Sequence, residues 1–189
     1  MVLEYSQFFL QYTLIYSYFL LVGRSFLIIY KKYLFKDQDI SEKIFNINQV
    51  ILFPVLGIVF AGNILVITNF FLPLGNLFIY LILIGLLVPN LLQIQNNFNF
   101  SFTNIIYYLI IPGILIFSTF DIPFHYDAGY YHLNTQNWLR ESNMVLGFVN
   151  IFWPFGMSSI YEYLSAVLWV SADFVFLHFL NFPLCSLFV

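Results

Sequence analysis

The side chains able to do chemistry are crowded into one polar island, residues 121–159. It holds Asp121, His125, Asp127, His132, Asn134, Gln136, Asn137, Arg140, Glu141 and Asn150, with Tyr126, Tyr130, Tyr131, Trp138 and Trp153 among them. Carboxylates and imidazoles move protons, and guanidinium and imidazole groups hold anions. Only 8% of the 189 residues are charged, so this crowding demands a reason. Each member also has a plainer use. Asp127 stands where a carboxylate caps the first N–H groups of a helix. His125 and His132 fit as interfacial polar residues. Arg140-Glu141 fits as a solvated pair at a helix end, and Trp138 and Trp153 fit as headgroup-level anchors. Glu162 and Asp173 are secondary candidates.

The elements that must carry the island are apolar. The chain is 61% hydrophobic with mean hydropathy +0.88. Soluble domains are about 45–50% apolar, so the long uncharged runs read as spans of an integral membrane protein. A net charge of −3 without a basic patch gives no nucleic-acid partner. The lone Cys185 gives neither a disulfide framework nor a metal cluster. Part of the aromatic load, 25 Phe and 14 Tyr, matches a preference for A/T-rich codons shared with Ile and Asn, so each Phe is not read as a binding residue.

Four spans are expected at about 8–30, 50–72, 77–92 and 105–120, which together form a first segment, 1–120. Arg24, near the far end of the first, is placed to snorkel to the headgroups. Lys31, Lys32, Lys36 and Lys43 make the only lysine cluster. Short loops rich in lysine stay cytoplasmic, which puts residues 31–47 inside and the N-terminus outside. Residues 72–76 read as a turn, and Pro112-Gly113 as a kink in the fourth span. Between residues 50 and 120 there is no Asp, Glu, Lys, Arg or His. Pumps and ion-coupled transporters usually carry such groups at bilayer depth, so the absence counts against them.

The fourth outward span delivers the island to the outer face as an extracytoplasmic loop, 121–173. One interfacial helix is expected from Asp127 to Glu141, with Asp127 and Tyr131 sharing a face and His132 pointing away. Ser158-Ser159 opens a second, running from residue 160 to about 171. A single helix continued to residue 180 would place Asp173 near the bilayer centre at a cost of about 2.5–3.5 kcal/mol. A fifth span is therefore expected to begin near residue 174. It reaches residue 189 short of the roughly 20 residues a span needs, so the chain is expected to be a fragment.

The run His125-Tyr126-Asp127-Ala128-Gly129-Tyr130-Tyr131-His132, continuing through Trp138-Leu139, resembles the first large extracytoplasmic loop of GT-C-type membrane glycosyltransferases. Residues 147–150 and Phe155-Gly156-Met157-Ser158-Ser159 are similar to a bacterial subgroup of these proteins. The match covers roughly residues 121–170. Ala128 stands where many members have a second acid, so no metal or other cofactor is expected. Three or four spans precede the loop, where many members have one.

The resemblance implies an all-α polytopic helix bundle in the bacterial inner membrane. It implies inverting transfer of a sugar from a polyprenyl-phosphate-linked donor at the outer face. Its partners would be membrane lipid and that donor. By this resemblance Asp127 takes the proton of the acceptor hydroxyl, and His125, Tyr131, His132 and Arg140 meet the donor. The 189 residues alone are expected to be inactive. The competing expectation is a non-catalytic or transport membrane protein, its outer loop serving as a gate or assembly surface.

Overall fold

The structure is a computed structural model that describes residues 2–33, 49–92, 102–111, 113–115, 126–156, 158–169 and 180. Among these residues the fold is all-α, with helices, turns and no strand. The helices are α1 (Val2–Tyr33), α2 (Gln49–Asn69), α3 (Leu77–Gly85), α4 (Val88–Leu92), α5 (Phe102–Ile105), α6 (Leu133–Glu141) and α7 (Ile160–Leu168). Two stretches are long and apolar enough to cross a membrane, Tyr5–Tyr33 and Leu52–Asn69. The chain divides into two compact units, and α2 runs from the first into the second.

In the first unit, residues 1–60, 85–120 and 178–189, α1 supplies the buried Tyr12, Tyr16, Phe19, Leu20, Val22 and Leu27. From the start of α2 come Phe53 and Ile58. The two helices cross glycine against glycine. A Cβ on Gly23 would stand 1.8 Å from the Phe53 carbonyl oxygen, and one on Gly57 would stand 1.9 Å from that of Phe19. Backbones approach this closely only where both faces lack side chains, the habit of helix pairs in lipid. Thr13 and Ser17 return their hydroxyls to the carbonyls of Phe9 and Thr13, which satisfies them within the helix.

Arg24 differs from its expected place. The helix continues past it to Tyr33, and Arg24 is buried to 9% exposure instead of lying at a helix end. The expected third span is also interrupted, ending as α3 at Gly85 and resuming as α4 at Val88. Pro89 explains the break. It has no N–H to give the Gly85 carbonyl four residues back, and its ring crowds that position. The helix begun at Phe102 widens at Ile106–Ile110 into a π turn, in which the Ile111 N–H reaches back to the Ile106 carbonyl. Pro112, the expected kink, lies outside the described residues. Nearby, the Tyr5 hydroxyl donates to the Gly113 carbonyl at 2.6 Å.

The second unit comprises residues 61–84 and 121–177. Its core joins Ala61 and Leu65 of α2, Leu74, Ile79 of α3, Leu139 of α6, and Tyr163, Leu164, Ala166 and Val167 of α7. Gly62 lets α7 close on α2, since a Cβ there would meet Ile160 Cβ at 2.9 Å. Helix α2 stops at Asn69, three residues before the expected end of its span, and a turn follows. Asn76 Oδ1 then accepts the Phe78 N–H at 3.0 Å and opens α3. The helix expected over 127–141 is present in two parts, a π turn Ala128–His132 and then α6, and that expected from residue 160 is α7. His125, Asp121, Asp173 and most of the expected fifth span lie outside the described residues.

Candidate functional site

The second unit fixes α6 by its C-terminal end. The last carbonyls of a helix have no partner within it. Here the Leu74 N–H donates to the Leu139 carbonyl at 2.8 Å and the Gly75 N–H to that of Arg140 at 2.9 Å. A Cβ on Gly75 would stand 2.8 Å from the same Arg140 oxygen, so the turn can approach only as glycine. Asn69 completes the clamp, its buried amide lying 3.2 Å from the carbonyl oxygens of Leu72, Leu139 and Ser142. The Met144 N–H closes onto the Asn69 carbonyl at 2.8 Å.

Helix α7 is tied to α6 by two polar contacts on one carboxylate. Glu162 Oε1 lies 2.5 Å from His132 Nδ1, and Glu162 Oε2 accepts from Gln136 Nε2 at 2.7 Å. The Glu162 side chain is 6% exposed, whereas that of His132 is 41% exposed. A buried carboxylate thus stands behind an imidazole that reaches the surface. Burying a carboxylate is costly unless both oxygens are met, and here both are. The amide of Gln136 must turn its NH2 toward Glu162, which leaves its own buried Oε1 without a hydrogen-bond partner.

The π turn sets the position of His132. The Leu133 N–H reaches back five residues to the Ala128 carbonyl, and the Asn134 amide donates to the carbonyls of Gly129 and Tyr130. Such widened turns recur at functional sites. A π turn brings residues five apart toward one face, so the expectation that His132 turns away from Asp127, drawn from an ideal α-helix, does not carry over to this turn. The Tyr131 ring packs on that of His132 with centroids 4.2 Å apart.

Asp127 does not cap the helix. It has helical φ −58° and ψ −32°, makes no side-chain cap bond, and follows a residue already in the helix. It sits instead beside Tyr126, whose hydroxyl pKa it raises through a side-chain hydrogen bond and its charge. Arg140 is not paired with Glu141 as a solvated couple. Its Nη1 donates to the carbonyls of Ala166 at 2.9 Å and Trp169 at 2.6 Å, and its guanidinium lies 5.3 Å from the centre of the Trp169 ring. A cation is thereby placed on carbonyls at the end of α7, where the helix dipole favours it.

The structure brings His132 together with Glu162 and Gln136, residues given no leading role by the sequence. A signal was present. Gln136 follows His132 by four residues, one helical turn, and Ser159-x-x-Glu162 spells a helix-start capping box. In such a box the glutamate reaches back to the Ser159 N–H. Ser159 does occupy the cap position, with φ −129° and ψ 169°, but its side chain makes no cap bond and the Glu162 carboxylate is turned to His132 and Gln136.

The same unit has a cleft of ≈ 210 Å³ whose lining includes Thr135, Trp138, Met144, Phe148, Phe155 and Tyr163 but not His132, Gln136 or Glu162. Trp138 stacks on Phe148 at 4.2 Å and meets Phe155 edge-on at 4.6 Å, so it is a packed wall and not a free anchor. Trp153, 67% exposed, keeps the exposure expected of an anchor. Gly147, at φ +91°, turns the chain through the left-handed region at the start of this aromatic loop. Burial raises the Tyr163 hydroxyl pKa, and a hydrogen bond with Ser158 partly offsets it. Among the described residues no group of three or more His, Cys, Asp or Glu is placed to hold a metal ion.

The chain belongs to the family described as "Domain of unknown function (DUF8201)", whose profile matches residues 6–189. No curated protein and no solved structure matches it.

Proposed function

We propose that this DUF8201 chain is part of a multi-pass integral membrane protein that transfers a sugar from a polyprenyl-phosphate-linked donor at the outer face of the membrane. The observation that carries the reading is the buried Glu162 carboxylate behind the 41% exposed His132 imidazole. Paired acid–base groups of this kind are the usual equipment of a proton-transferring site. The resemblance of residues 121–170 to the first outer loop of GT-C-type enzymes supplies the reaction class. Two long apolar helices, the further apolar runs at 77–92 and 105–120, and the lysine cluster at 31–43 support several spans with the loop outside.

In this reading the acceptor oxygen attacks the anomeric carbon as the bond to the phosphate oxygen breaks. The leaving polyprenyl phosphate keeps the electron pair, and Asp127 takes the acceptor's proton. His125, Tyr131 and the guanidinium N–H groups of Arg140 beyond Nη1 meet the donor, with His132 near them. The test is sugar transfer by the complete protein in membrane vesicles supplied with a polyprenyl-phosphate-linked sugar. Asp127→Asn is expected to lower the rate by about 10²-fold or more with insertion unchanged. Transfer near the wild-type rate would remove Asp127 as the proton acceptor.

One observation favours the competing reading, a non-catalytic or transport protein with an assembly surface in this loop. The Arg140 guanidinium is spent in part on two backbone carbonyls, as a structural brace would be. That reading expects no transfer by the wild-type protein.

A further inference from the structure

We infer that Glu162 is a positioning residue, which with Gln136 holds His132 as a second proton acceptor of this site. Four observations converge. Glu162 Oε1 takes the Nδ1 side of the ring at 2.5 Å, so a neutral His132 carries its proton on Nδ1 and keeps the Nε2 lone pair free. Gln136 fixes the other carboxylate oxygen at 2.7 Å, which leaves Glu162 a single orientation. The carboxylate is 6% exposed and the imidazole 41%, the inside-to-outside order in which a buried acid orients a working histidine.

The fourth observation is what Glu162 forgoes. A glutamate three residues after Ser159 can close a solvated capping box, yet it is turned inward to the ring and Ser159 makes no side-chain cap bond. For stability alone the box would serve at no desolvation cost. Among the described residues, Glu162 from α7 and the adjoining Tyr131 ring of the π turn meet the imidazole, and Gln136 from α6 meets Glu162.

The inference rests on the proposed transfer and adds a residue to it. As the acceptor oxygen bonds the anomeric carbon and the phosphate oxygen leaves with its electron pair, the one hydroxyl proton goes to Asp127 and then on to His132 Nε2, which returns Asp127 to the carboxylate. Glu162 touches no reacting atom and acts through the ring.

The test reads the ring directly. The chain is prepared in lipid nanodiscs with ¹⁵N-labelled histidine, and His132 is identified by the signal lost in His132→Asn. The wild-type ring is expected to be the tautomer protonated on Nδ1. Glu162→Gln, whose amide cannot accept from both His132 and Gln136, should release it to the mixture found in free imidazole. Glu141→Gln, an exposed carboxylate on α6, should leave it unchanged. A wild-type ring protonated on Nε2, or an unaltered tautomer in a folded Glu162→Gln chain, overturns the inference; the wild-type spectrum decides even if the variant fails to fold.

In the complete protein, Glu162→Gln is expected to lower kcat about 10²-fold with KM unchanged. An equal kcat overturns the positioning role. A wild-type protein that shows the Nδ1 tautomer but transfers no sugar defeats the transfer reading and not the geometry.

Discussion

Asn69 shows how much one side chain can hold. Its amide is fully buried, and its Nδ2 lies within 3.2 Å of three carbonyl oxygens from the turn after α2 and the end of α6. Asn69→Asp keeps the shape and replaces the donor by a carboxylate oxygen facing those carbonyls. A loss of about 1–3 kcal/mol is expected, the cost of leaving buried acceptors unmet, read as a lower melting temperature in detergent. An unchanged melting temperature would mean that the clamp contributes nothing. In the sequence Asn69 is only a polar residue in an apolar run, for which helix–helix hydrogen bonding is the natural reading. Its partners are 70 and 73 residues away or across a turn, and nothing local announces them. Glu162 was obscured differently. Its spacing from Ser159 spells a cap, and only the approach of α6 shows the carboxylate drawn away. His132, Tyr131 and Arg140 were legible as a cluster because ionisable groups are scarce in this chain. Their roles were less so, since the Arg140 contacts depend on where α7 ends.

At the scale of elements, hydropathy and turn residues locate helices well and their interruptions less well. The runs at 8–30 and 50–72 appear as α1 and α2, 127–141 appears at full length as helix that includes the π turn and α6, and 160–171 appears in shortened form as α7. The break after Gly85 was written in Pro89, but a hydropathy window averages over it. The π turn at 128–132 leaves no mark in the pattern, because an added residue in a helical turn changes no residue type. The crossing of α1 and α2 depends on Gly23 and Gly57, whose meaning appears only once the helices are paired. A methyl at Gly57 has no room. Gly57→Ala is expected to destabilise the α1–α2 pair by about 1–3 kcal/mol, as overpacking does, measured by unfolding in mixed micelles. Gly85→Ala, where a Cβ meets nothing within 4 Å, should stay within about 0.5 kcal/mol of wild type. Equal behaviour of the two variants would contradict the glycine crossing.

For the whole molecule, composition dominates. Only 8% of the residues are charged, and among the described residues two helices are long and apolar enough to cross a membrane. Ionisable groups are then expensive, and most of them collect in two stretches of the sequence, the lysine cluster at 31–43 and the island at 121–162. The side on which the island emerges decides the proposed chemistry, because lipid-linked sugars are used at the outer face in that reading. The most direct measurement is its sidedness. Cys185 is replaced by Ser, a single cysteine is placed at the exposed Asn143 on the cleft, and intact cells are treated with a membrane-impermeant maleimide. Labelling from outside is predicted, with no gain on permeabilisation. Labelling only after permeabilisation would put Asp127, His132 and Glu162 on the cytoplasmic side and contradict the proposed transfer.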